Sequence, residues 1–219
     1  MARPCDPNAR LELLAAAQRV FIEHGLDATK VEDITEQAGR SKGSFYLHFE
    51  SKEEAFTYVV EDVLGRLSAF LDAQAALDVA PPESLEALFE LWVASSVEIF
   101  EFVWTNRGVM RLVLRGGLSS RFHHLIDAFF GHVHRHIERA LLQGQSWGIY
   151  RADLDLRIAA LALAGAYDRV ARELVESEHK PDLHAIITAV DSTLLGGIGS
   201  DAVRNHVMQQ TNHKRKAKR

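Results

Sequence analysis

The chain has 219 residues, of which 47% are hydrophobic and 25% charged, with a formal net charge of −5. That length buries a real core in one large domain or two modest ones, and the acidic balance excludes a generally basic nucleic-acid binder, so phosphate contact needs a local patch. A single cysteine, Cys5, excludes an intramolecular disulfide and points to a reducing, cytoplasmic setting.

Apolar residues recur at helical spacing almost throughout and no alternating strand pattern appears, so the chain reads as all-α with about nine helices. Pro4 and Pro7 precede a first helix over Ala9 to His24, with Leu13, Ala17, Val20 and Phe21 on one face. Its run LELLAAAQ is not a signal sequence, because Glu12 and Gln18 interrupt it and the helix continues as RVFIEHG. Gly25 closes this helix. Thr29 is expected to cap a second short helix carrying Val31, Ile34 and Ala38, and Gly39 to close it. Ser41 is the natural cap of a third, very short helix reaching about His48. SKEE, Ser51 to Glu54, reads as a capping box. It starts a fourth helix running to about Val79, with Val60, Leu64, Leu67 and Leu71 on one stripe, stopped by Pro81 and Pro82. Helices follow at about Pro82 to Trp104, Asn106 to Arg115, Ser119 to Gln145, Asp155 to Glu176 and Asp182 to Gly196. Gly116-Gly117, Gly148 and the HKP of His179 to Pro181 separate them. The longest apolar run, IAALALAGA from Ile158 to Ala166, is far short of a membrane span, and no membrane partner is expected.

GRSKGSFYLHF, Gly39 to Phe49, is too glycine-interrupted for an isolated helix and too aromatic for an ordinary loop. Two short helices joined by a tight turn form a helix-turn-helix, whose second helix enters the DNA major groove. Ala38 lets the helices approach, and Gly39 makes the turn. Gly43 has no side chain, so a phosphate can come close to the helix start. Phe45 and Phe49 lie four apart and are expected to face inward. Lys42, Ser44, Tyr46, Leu47 and His48 then face outward or sideways. Ser44 can hydrogen-bond a base edge and Leu47 can touch a thymine methyl. Tyr46, His48 and Lys52 are placed for phosphates, which fix position without reading sequence.

The segment FIEHGLDATKVEDITEQAGRSKGSFYLHFESKEEAF, Phe21 to Phe56, resembles the DNA-binding domain of the tetracycline-repressor (TetR) family of transcriptional regulators. Phe21, Gly25, Thr29, Val31, Ile34, Ala38-Gly39, Ser41, Gly43, Tyr46, His48-Phe49 and Lys52-Glu53 stand at the family's spacing. The sequence departs from the pattern at Lys30, Thr35 and Arg40. Arg40 either adds phosphate contact or loosens the turn. The resemblance implies a three-helix DNA-binding domain over 7–67, with the motif at about 30–49. An effector-binding and dimerising helical domain follows over 68–200, and a basic tail over 201–219. It implies a homodimer on a palindromic double-stranded operator, most often a repressor released by a small molecule. The DNA-contacting set is then Thr29, Lys30, Arg40, Ser41, Lys42, Gly43, Ser44, Tyr46, Leu47, His48 and Lys52.

Aromatics are plentiful between Trp92 and Tyr150, which suits a cavity for an apolar or aromatic effector. Trp92, Phe100 and Trp104 are the first candidates for its wall, joined by Phe122, Phe129 and Trp147; each is equally at home in a core. His124, His132 and His136 share a face of the seventh helix at metal-pair spacing. No cysteine is near, and no metal or cofactor is expected. The last two helices look built for self-association: one is rich in alanine with Gly165, the other apolar over much of its circumference. LLGGIGS, Leu194 to Ser200, lacks the phosphate-loop order. No nucleophile elbow or zinc-protease motif appears, so the chain is not read as an enzyme. Three other readings stay open: an all-α small-molecule-binding protein or an enzyme, either with a vestigial motif, and a metal-responsive regulator.

Overall fold

The computed structural model describes residues 7–75, 83–114 and 122–198, with residues 201, 203 and 205. The expected ends at Val79 and Pro81-Pro82, the Gly116-Gly117 break, the start of the seventh helix at Ser119, Cys5 and the basic run His213 to Arg219 lie outside the described residues. Among those described there are nine α-helices and no strand: α1 (Pro7–Ala28), α2 (Val31–Gln37), α3 (Lys42–Tyr46), α4 (Lys52–Ala75), α5 (Leu85–Thr105), α6 (Arg107–Leu114), α7 (His123–Ser146), α8 (Leu156–Glu176) and α9 (Leu183–Ile198). No helix among them is long and apolar enough to cross a membrane.

The chain divides into two compact units. The first is Met1–Arg66 with Asn106–Ile126, and the second Leu67–Thr105 with Asp127–Arg219. The core of the first unit is aromatic. Phe21, Phe45, Phe49, Phe56 and Phe122 are all buried. Phe56 meets Phe21 and Phe122 edge-on, both at 5.1 Å between ring centroids.

Gly25, at φ 76° and ψ 168°, breaks α1 where the sequence predicts its end. Thr29 does not cap α2. Its side chain is buried, and its hydroxyl donates to the Gly25 carbonyl at 2.6 Å, spending its polar group on the end of α1. The cap position falls to Lys30, whose backbone N–H donates to Asp33 Oδ2 at 2.8 Å.

In the second unit, Phe100, Val103, Leu163, Leu174, Leu183 and Ile187 are buried on α5, α8 and α9. A polar knot sits among them. Tyr167 on α8 donates its hydroxyl to Asp191 Oδ1 on α9 at 2.7 Å, and Ser96 on α5 hydrogen-bonds Tyr167 in turn. Asp191 is 3% exposed, and its second oxygen has no protein partner among the described residues. A desolvated carboxylate favours its neutral form, and burial pushes Asp191 up to about 6, against the Tyr167 hydrogen bond that pulls it down.

The folded protein thus holds this proton more tightly than the unfolded chain does. The contribution to stability is full below pH 3.8, the ordinary value, and is lost as pH rises through about 6. Asp191→Asn removes the titration while keeping an acceptor for Tyr167. Urea unfolding should show the variant gaining roughly 1–3 kcal/mol relative to the parent between pH 4 and pH 7. An equal difference at both pH values would show that Asp191 carries no buried charge.

Candidate nucleic-acid interface and ligand cavity

The turn between α2 and α3 closes with a double hydrogen bond. Gly39 N–H donates to Glu36 O at 3.0 Å and Arg40 N–H to Thr35 O at 2.9 Å. This is the Schellman pattern, which needs a left-handed residue after the cap. Gly39 supplies it at φ 62°. Ser41 then caps α3, its hydroxyl accepting from Ser44 N–H at 3.2 Å. Five residues make little more than one turn, and packing has to hold it in place. Phe45 and Phe49 are both buried, 5.3 Å apart. Phe49 and Tyr58 also lie under the Arg10 guanidinium, at 5.4 and 4.5 Å from the ring centroids.

With those rings inward, the opposite side of α3 is set. Leu47 is 70% and Tyr46 57% exposed, and Lys42 is exposed beside them. Ser44 and His48 are half-buried at the flanks. At Gly43 a Cβ would meet only Ser41 Oγ, at 3.7 Å, so nothing within the chain demands glycine there.

Four expected contact residues have partners within the chain. Thr29 is buried, as described above. The Lys52 ammonium donates to the carbonyls of Leu26, Asp27 and Thr29 at 2.9, 3.1 and 2.7 Å, so it neutralises the C-terminal end of α1. Arg40 donates through Nε to Glu12 Oε2 at 2.8 Å, tying the turn to α1. Lys42 pairs with Glu32, and that hydrogen bond holds the Glu32 carboxyl below its usual range, helped by Glu32's own backbone N–H. Glu12 and Arg10 were not expected at this site from sequence. Their partners lie far along the chain, whereas Glu32, ten positions before Lys42, sits in the motif itself.

The second unit holds a cavity of about 220 Å³ between α4, α5, α7 and the Trp147–Tyr150 turn. Leu88, Trp92, Trp147, Ile149 and Tyr150 form its apolar wall, and Gln74, Ser95, His136, Arg139 and Gln143 its polar one. Trp92 packs on Tyr150 at 5.5 Å. Gly144 allows this: a Cβ there would stand 2.3 Å from Tyr150 Cε2. Of the six aromatics expected at a ligand, only Trp92 and Trp147 line this cavity. Phe100 borders a separate hollow with Val170, Leu174 and Ile187. Trp104 and Phe129 line neither, and Phe129 packs on Phe130 at 5.6 Å. Phe122 lies in the first unit against Phe56, because its short turn precedes α7 rather than sharing the cavity side of it. His136, Arg139 and Gln143 follow one face of α7 at three- and four-residue steps, with Trp147 just past its end, a signal the histidine row obscures. Among the described residues no group of three metal-ligating side chains converges.

The bacterial regulatory proteins of the tetR family match residues 13–59. The transcriptional repressor KstR2 of Mycolicibacterium smegmatis is 41% identical over 91 residues, covering 39% of this chain and 42% of that protein. The chain therefore matches less than half the length of KstR2. The repressor DhaR of a Mycobacterium species is 28% identical over 193 residues, covering 85% and 92% of the two chains. SmeT, repressor of the Stenotrophomonas maltophilia multidrug efflux pump SmeDEF, superposes with a TM-score of 0.71 at 27% identity, covering 89% of this chain and 92% of its own. SmeT is also known in complex with triclosan.

Lys52→Met should destabilise the first unit by about 1–3 kcal/mol, because three carbonyls lose a charged donor. Hydrogen exchange of amides in α1 and α4 reads this directly. Unchanged protection would mean that the ammonium adds nothing to the end of α1.

Proposed function

We propose that the chain is a member of the tetR family of bacterial regulatory proteins, whose model matches residues 13–59, and that it is a sequence-specific DNA-binding transcriptional repressor released from its operator by a small molecule. One observation carries the reading: α3 and the turn after it bury Phe45 and Phe49 in the core and offer Lys42, Tyr46 and Leu47 outward. The spare room at Gly43 supports it, since close approach from outside is then the reason for glycine.

Base reading belongs to Ser44 and Leu47, and phosphate contact to Lys30, Lys42, Tyr46 and His48, with the backbone of Ser41 and Gly43 at the start of α3. Two copies associate through α8 and α9. Ile158 and Leu161 on α8 are half-exposed apolar side chains that a partner would cover. A two-fold dimer presents two reading helices to successive major grooves, about 34 Å apart, so the operator is an inverted repeat. The effector occupies the cavity beside Trp92; SmeT likewise binds a small molecule, triclosan. It favours a dimer whose reading helices no longer match the groove spacing. By linkage, operator DNA weakens effector binding by the same factor, typically about 5–150-fold.

Selection of bound duplexes from a random pool tests this. An enriched inverted repeat is expected, and Ser44→Ala or Leu47→Ala should change the preferred bases. Lys42→Ala should weaken all sequences alike and lower the salt slope by about 1. Failure of the dimeric protein to enrich any site at low salt would leave the motif vestigial.

A further inference from the structure

The cavity's polar wall has a consistent character. Among the described residues no aspartate or glutamate lines it. Arg139 has five N–H donors and no acceptor. Its Nε donates to the Arg135 carbonyl at 3.3 Å, and its Nη2 stands only 3.8 Å from Asp72 Oδ1. That same oxygen also faces His132 Nε2, at 3.3 Å, so one exposed carboxylate is divided between two bases. His136 lies between them. Burial holds its pKa below the usual value, with the charges of Arg139 and His132 adding to the effect, and its Nδ1 has no hydrogen-bond partner.

The opposite wall is apolar. Trp92 and Tyr150 form one corner, and Trp147 adds a third ring. Aromatic rings alone attract cations. Here a cation would sit beside Arg139 with no carboxylate in the wall, and like-charge repulsion at short range in a partly desolvated site outweighs what a ring returns. An anion meets the opposite situation, since a charge-assisted bond to guanidinium is among the stronger contacts a ligand can make.

We propose that this cavity takes a small amphipathic anion, its apolar or aromatic body against Trp92, Trp147 and Tyr150 and its acidic group, a carboxylate or sulfonate, held by Arg139. The inference rests on the effector reading above and narrows it to one ligand class. Arg139 gives the class and the rings give the shape.

Two dyes with one ring skeleton test it: 8-anilinonaphthalene-1-sulfonate and the uncharged N-phenyl-1-naphthylamine. Energy transfer from tryptophan reports their binding to the full chain. Trp147→Ala should weaken both. Arg139→Gln should weaken the sulfonate about tenfold or more and leave the neutral dye within about twofold, while Arg139→Lys restores most of the difference. Circular dichroism confirms that each variant is folded. If Arg139→Gln changes both dyes equally, or neither, the anion assignment is wrong while the cavity stands as a binding site. If Trp147→Ala moves neither dye, the cavity is no binding site, and the inference falls together with the placement of the effector.

Discussion

A helix of five residues forms scarcely one hydrogen-bonded turn and pays the full cost of nucleation without the length to recover it. α3 persists because Phe45 and Phe49, one turn apart, are buried in the core of the first unit. Each such ring gains about 1.5–3 kcal/mol from leaving water, enough together to hold a segment that propensity alone would leave frayed. The burial also sets orientation. Once Phe45 in the helix and Phe49 in the turn bonded to it point inward, the neighbouring positions have their directions assigned, and the outward set Lys42, Tyr46 and Leu47 follows. The Schellman turn at Gly39 and the Ser41 cap then fix where the helix begins.

Charge around this helix is arranged in pairs. The chain carries a net charge of −5, and two of its cations near α3 have acidic partners: Arg40 with Glu12 and Lys42 with Glu32. Arg40 therefore resolves the question its position raised. It ties the turn to α1 and does not loosen it. Such exposed pairs add little to stability, but they hold long side chains in place.

Much of this was legible in the sequence because the determinants are local. Helical periodicity, the glycines at 25 and 39, the Ser41 cap and the four-residue spacing of Phe45 and Phe49 need no knowledge of distant residues. What sequence left out shares one cause. Thr29 has the chemistry of a cap but faces the core, and Lys52, expected at phosphates, reaches three carbonyls at the end of α1. Both outcomes depend on where α1 ends relative to α4. The cavity was harder still. Nine aromatics over one stretch of chain give no sign of which helix face each occupies; Phe122 went to one unit and Trp92 to the other. Arg139, the residue that sets the cavity's chemistry, carries no aromatic signal at all.

The bond between Lys42 and Glu32 makes that lysine's charge conditional. Any phosphate that captures the ammonium strips the carboxylate of its counter-charge and leaves it facing a polyanion. A bare acid in such company binds protons more readily. If the proposed phosphate contact of Lys42 forms, Glu32 loses the partner that holds its carboxyl low, and association with a duplex then draws a proton toward it.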